Sequence, residues 1–114
     1  MGNRSIHWMM LIAAASVIGL VGLAAAAEPQ AIAVQLFQFR PGQMDVAKGS
    51  RVTWTNQDDI THTVTSGTPE KRDGRFDAQL AGKGATASVE VVESGTYPYF
   101  CDRHNSMRGE IRVP

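Results

Sequence analysis

Beyond its first 27 residues the chain alternates apolar and polar positions in short runs separated by turn residues, the period of strands half-buried against a core. Ile32, Val34 and Leu36 alternate, and the phase then switches to Phe37 and Phe39, which predicts a bulge between Leu36 and Phe37. Arg40-Pro41-Gly42 turns the chain, Met44 and Val46 share the next face, and Lys48-Gly49-Ser50 turns it again. Val52 and Trp54 are expected inward, Thr53 and Thr55 outward. Residues 66–75 are polar and carry Gly67, Pro69, Asp73 and Gly74, which predicts a long loop. Ala87, Val89 and Val91 alternate with Thr86, Ser88 and Glu90 in a clean half-buried strand. After Ser94-Gly95 comes a strand in which Tyr97, Tyr99 and Cys101 share a face, and Gly109, Ile111 and Val113 mark the closing strand. Sequential short strands without crossover helices predict an all-β Greek-key sandwich with antiparallel pairing. Its expected core includes Phe37, Phe39, Met44, Tyr97 and Tyr99.

Residues 1–27 follow a different rule. Arg4 gives a short positive start, an uncharged apolar run extends from Trp8 to Ala27, and the run closes on Ala25-Ala26-Ala27. That order of regions is the pattern of a secretory signal peptide, cleaved before Glu28. The alternative is an uncleaved anchor, since twenty apolar residues just span a bilayer. The expected organisation is therefore a leader over 1–27 and one domain over 28–114, working outside the cytoplasm and free of the membrane once the leader is removed.

The balance of 11 basic and 11 acidic side chains gives no basic footprint for nucleic acid. One Cys in 114 residues excludes an intramolecular disulfide and any multi-cysteine zinc or iron–sulfur site. Taking the leader away removes His7 and three of the five Met, so the mature chain keeps His62, His104, Met44, Met107 and Cys101. A domain this small buries a modest share of its surface, and a bound metal would add stability.

Cys101-Asp102-Arg103-His104-Asn105-Ser106-Met107 has the spacing C-x2-H-x2-M between two predicted strands. A tight turn there can aim a thiolate, an imidazole and a thioether at one small volume. The other mature imidazole is His62, which follows the strand at Val52–Asn56 and the polar turn Gln57-Asp58-Asp59. Two imidazoles, one thiolate and a weak axial thioether describe a blue-copper electron-transfer site. Thiolate and thioether suit Cu(I), and imidazole serves both oxidation states. Met44 is assigned to the core by its alternation with Val46.

Val52-Thr53-Trp54-Thr55-Asn56, then His62-Thr63-Val64, Phe76-Asp77 and Gly95-Thr96-Tyr97-Pro98-Tyr99-Phe100-Cys101 together resemble the cupredoxin, or blue copper protein, family. The short C-x2-H-x2-M loop is similar to its amicyanin-like more than its plastocyanin-like members. The resemblance implies a Greek-key sandwich, one type 1 copper and no enzymatic reaction. It also implies single-electron shuttling in the bacterial periplasm by a monomer. The implied ligands are His62, Cys101, His104 and axial Met107. The implied partners are a redox protein donor and acceptor of dehydrogenase, cytochrome or oxidase type. Family loops of this length carry proline and apolar residues between the ligands, whereas Asp102-Arg103 and Asn105-Ser106 stand here. This leaves the family's apolar partner-docking patch around the C-terminal His unassigned. Competing readings are a copper carrier or storage protein and a thiol enzyme using Cys101 with His104. A fragment of a copper oxidase would need more His than the mature chain has.

Overall fold

The computed structural model describes residues 29–114, so the expected leader and its cleavage point lie outside the described residues. The described chain forms β1 (Gln30–Gln35), β2 (Gln38–Arg40), β3 (Gln43–Asp45), β4 (Ser50–Asn56), β5 (His62–Thr68), β6 (Lys71–Leu80), β7 (Thr86–Val91), β8 (Gly95–Cys101) and β9 (His104–Val113). These make a four-stranded sheet, β2-β1-β4-β7, and a five-stranded sheet, β3-β9-β8-β5-β6. The all-β two-sheet sandwich expected from the alternation is the architecture found. The pairing is not wholly antiparallel, because β1 runs parallel to β4 and β3 parallel to β9. In each parallel pair the chain leaves the sheet between the two strands and returns to it without a helix.

Inward alternation is clearest in β4, where Val52 and Trp54 are fully buried, and in β8, where Tyr97, Tyr99 and Cys101 share the inner face. Tyr99 joins the two sheets. Its ring meets Phe39 of β2 at 4.7 Å and Trp54 of β4 at 5.2 Å, both edge-on, and Phe76 of β6 lies 6.4 Å away. Edge-to-face packing of this kind adds to the area buried. Across the β8–β9 pair Tyr99 faces Gly109, and any Cβ at 109 would overlap its ring.

Two local expectations are corrected. Residues 66–75 are not a loop: β5 and β6 form a hairpin turning at Pro69-Glu70, with a register shift between Thr65 and Gly67. Gly67 has φ +99°, and a Cβ there would meet the Lys71 carbonyl oxygen at 2.5 Å, so the shift needs glycine. The outer part of β6, residues 71–75, is exposed and needs no apolar side chains. The buried end of β5 uses the small residues Ser66 and Gly67, so the composition imitates a loop. Leu36 and Phe37 do not flank a bulge either. They are the two residues of the turn between β1 and β2, with φ of 54° and 61°. Positive φ at both positions matches a two-residue type I′ hairpin. Phe37 is consequently half exposed rather than a core residue.

Burial pushes the Tyr99 phenol from 10.0 up to about 12, with Trp54 opposing the shift. Below pH 10 both folded and unfolded states keep this proton, and the domain has its full stability. As pH rises towards 12 the unfolded chain releases the proton first, so up to about 3 kcal/mol of stability is lost. Denaturant unfolding of the metal-free domain should show this alkaline loss, and Tyr99→Phe should remove it. Equal losses in both proteins would refute the assignment.

Candidate metal centre

Strand geometry sets a problem at the end of the sandwich where Cys101 stands. Residues three apart on a regular strand face opposite sides, yet C-x2-H-x2-M must bring three side chains to one volume. The β8–β9 register solves it. Phe100 pairs with Arg108, but its neighbour Cys101 pairs with His104, so Asn105, Ser106 and Met107 have no partners on β8. An odd number of inserted residues reverses the alternation. His104 can then face the same volume as Cys101, while Met107, Ile111 and Val113 stay on the buried side. The predicted loop is thus a two-residue turn, Asp102-Arg103, followed by a bulged strand.

His62 opens β5 beside this hairpin. The ligating atoms of His62, Cys101 and His104 all lie within 4.8 Å of one another. Cys101 Sγ is 3.7 Å from Nδ1 of His62 and 3.7 Å from Nδ1 of His104. A metal about 2.3 Å from sulfur and about 2.05 Å from nitrogen, at angles between tetrahedral and trigonal, separates the two atoms by about 3.6–3.8 Å. The donor set therefore fits one small cation without rearrangement. His62 and Cys101 are fully buried, His104 is partly exposed, and Met107 is 2% exposed on the bulge's inner side. Cys101 has no access to a substrate, which speaks against a thiol nucleophile.

Polar contacts hold the cluster from two sides. The Thr63 N–H donates to Cys101 Sγ at 3.3 Å, while Thr63 Oγ1 accepts from the Asp102 N–H at 2.7 Å. The Thr63 hydroxyl lies 3.0 Å from that of Thr65, which donates to Asp77 Oδ1 at 2.9 Å. Arg72 closes this ring, pairing with Asp102 and standing 4.0 Å from Asp77 while its guanidinium lies over the buried Phe100. On the other side Asp58 Oδ2 is 2.8 Å from His62 Nε2, and the same carboxylate accepts the Leu36 and Phe37 backbone N–H groups. Desolvation pushes the Asp58 carboxyl up. The Phe37 N–H, His62 and the Leu36 N–H outweigh it and leave it below the ordinary carboxylate value. Asn56, buried at the end of β4, donates to the Ile60 and Leu80 carbonyls and accepts the Asp58 N–H.

Phe37 stands edge-on to both imidazoles, 5.4 Å from His62 and 5.0 Å from His104. The apolar surface not expected from the Cys101–Met107 segment is thus supplied by the β1–β2 turn. Leu36 and Phe37 are both exposed, and Ile60 adds a third apolar side chain on the connection into β5. Asp58 and Thr63 had no assigned role in the sequence, and Phe37 was expected only in the core. The available signal for Asp58 was its position four residues before His62, a separation that a short connection can fold back upon itself.

The family model of copper binding proteins, plastocyanin/azurin family, matches residues 28–114. The chain is 30% identical over 84 residues to amicyanin-alpha of Methylorubrum extorquens, covering 72% of this chain and 69% of that protein. It is 29% identical over 83 residues to plastocyanin A/B of Petroselinum crispum, covering 66% and 86%. A purple cupredoxin from Nitrosopumilus maritimus superposes with TM-score 0.68 at 23% identity, covering 75% of this chain and 99% of the other, which shows the shared fold.

Proposed function

Because the chain belongs to the plastocyanin/azurin family of copper-binding proteins, we propose that it is a type 1 copper electron carrier. In this reading His62, Cys101 and His104 would hold the ion, with Met107 as a weaker fourth donor. The observation that supports it most directly is the buried Cys101 sulfur 3.7 Å from two imidazole nitrogens, at the spacing one small cation requires. Copper, when bound, supplies a one-electron couple between Cu(I) and Cu(II).

The chain's own residues supply the rest. Sulfur and thioether favour the reduced ion, imidazole accepts both states, and a frame that holds one geometry lowers the rearrangement accompanying each transfer. The Thr63 N–H bonded to Cys101 withdraws electron density from the sulfur. Full burial of Cys101 and His62 keeps water from the donors, while partly exposed His104 beside Phe37 brings one edge of the centre to the surface. A donor and an acceptor protein exchange electrons at that edge, over the apolar side chains of Leu36 and Phe37. Buried ligands suit a resident ion better than one handed on, so shuttling is favoured over carriage or storage.

The chain works as an exported periplasmic monomer, its leader removed after Ala27 and its domain spanning 28–114. Mass spectrometry of the exported protein should give a chain beginning at Glu28; an intact N-terminus would instead mean a retained leader.

Copper-loaded protein should show an intense visible band from sulfur-to-copper charge transfer that bleaches reversibly on one-electron reduction. Cys101→Ala should abolish it, and a colourless Cu(II) form of the unaltered protein would sink the reading. Met107→Gln should retain copper and colour with a shifted midpoint potential, because an axial ligand tunes the ion more than it holds it. Loss of copper in that variant would remove Met107 from the axial role.

A further inference from the structure

Asp58 makes more contacts around the donor cluster than any single function of a turn residue requires. Its Oδ2 lies 2.8 Å from His62 Nε2 and accepts the Phe37 N–H at 3.0 Å, and its Oδ1 accepts the Leu36 N–H at 2.8 Å. An ionised carboxylate only accepts hydrogen bonds, so His62 must carry its proton on Nε2. That tautomer leaves the Nδ1 lone pair free on the side facing Cys101, where a metal would be held.

The two backbone bonds serve a different element. Leu36 and Phe37 sit in a turn that needs φ near +50° to +60° at both positions, a conformation that Asn and Gly adopt readily and Leu and Phe do not. Both N–H groups of this unfavourable turn end on one carboxylate. Held there, the Phe37 ring lies edge-on to His62 and to His104, whose own rings are 5.2 Å apart. Asp58 is itself fixed through its N–H to Asn56, whose amide also spans the Ile60 and Leu80 carbonyls.

We infer that Asp58 is a positioning residue of the copper centre: one carboxylate sets the His62 tautomer and keeps Phe37 packed across both imidazoles. The ligand's orientation and its apolar cover therefore depend on the same group. This inference rests on the electron-carrier reading for its effect on potential, and on the side-chain geometry alone for its effect on His62 and the turn. A negative charge hydrogen-bonded to a ligand imidazole favours the higher oxidation state, so neutralising it favours Cu(I).

The test compares the full exported protein with Asp58→Asn and Asp58→Glu. Asn keeps the volume of Asp but replaces one acceptor oxygen with a donor; Glu keeps the charge. In metal-free protein, nitrogen NMR should find His62 in the Nε2–H form, with Asp58→Asn mixing the tautomers. Amide exchange at Leu36 and Phe37 should become about tenfold faster or more in that variant, as loss of a charge-assisted hydrogen bond implies. In copper-loaded protein, Asp58→Asn should move the redox equilibrium towards Cu(I) by about tenfold, about 59 mV for one electron. Asp58→Glu should stay nearer the unaltered protein in both tautomer and potential. If Asp58→Asn leaves tautomer, amide exchange and potential unchanged, the inference is overturned. So it is if Asp58→Glu shifts the potential as far as Asp58→Asn, because the charge is then not the cause. Should the unaltered protein lack the visible band, the electron-carrier reading fails, and the metal-free measurements still decide whether Asp58 positions His62 and the turn.

Discussion

Side-chain alternation along a strand is the constraint on which the metal centre depends. Consecutive strand residues face opposite sides of a sheet, so a thiol, an imidazole and a thioether at intervals of three would ordinarily be dealt to alternating faces. The three unpaired residues of β9 undo this at one place. They let Cys101 and His104 close a two-residue turn with both ligating atoms on one volume, and they return Met107 to the buried side. A regular hairpin over the same residues would keep the sandwich and lose the centre. Below the bulge regular pairing resumes at once, and the packing of Tyr99 across Gly109 fixes the register just two residues from Cys101.

The rigidity needed for this cluster comes from polar groups whose partners lie far away in sequence. Thr63 reaches Cys101 and Asp102, 38 and 39 residues away, and Asp58 reaches the turn at Leu36 and Phe37 more than twenty residues earlier. Each group answers a local deficit. Asp102 offers an unpaired turn N–H, the β1–β2 turn has two in an unfavourable conformation, and the buried His62 has a ring nitrogen that burial would otherwise leave without a partner. Satisfying all of them with side chains near the cluster makes the polar connections of the turns and the orientation of the donors one structure. Reorienting His62 would disturb the Leu36–Phe37 turn, and shifting Asp102 would disturb the sulfur's surroundings through Thr63.

This division explains what could be read along the chain. Alternation exposed the strands that bury one face, such as Val52–Trp54, Ala87–Val91 and Tyr97–Cys101, because burial imposes a period on composition. The cluster was legible as well, since so few His and Cys residues follow residue 27 and their spacing is unusual. The hairpin at 62–80 was hidden because the outer part of β6 is exposed and the turn residues needed there resemble those of a loop. Phe37 was misplaced for a related reason: an aromatic in an alternating run reads as core, and nothing nearby reveals that a carboxylate twenty-one residues later holds it in a turn. The parallel pairings were equally invisible, since strand direction is decided by which edge a returning segment finds free.

The same long-range contacts decide how the cluster faces solvent. On the β5–β6 side Arg72 lies over Phe100 and joins Asp102, so the backbone leading into Cys101 is covered by a charged, hydrogen-bonded layer. That layer is half exposed and hydrated, so a partner covering it would have to strip water from its charges. On the opposite side the cover consists of Leu36 and Phe37, apolar and exposed, with partly exposed His104 against the Phe37 ring. Apolar side chains shed water readily, and their removal from solvent stabilises an encounter instead of opposing it. The polar Asp102-Arg103 turn therefore does not deprive the protein of an apolar approach to its imidazole. Apolar surface beside the imidazoles comes instead from the β1–β2 turn, whose two N–H groups end on the Asp58 carboxylate.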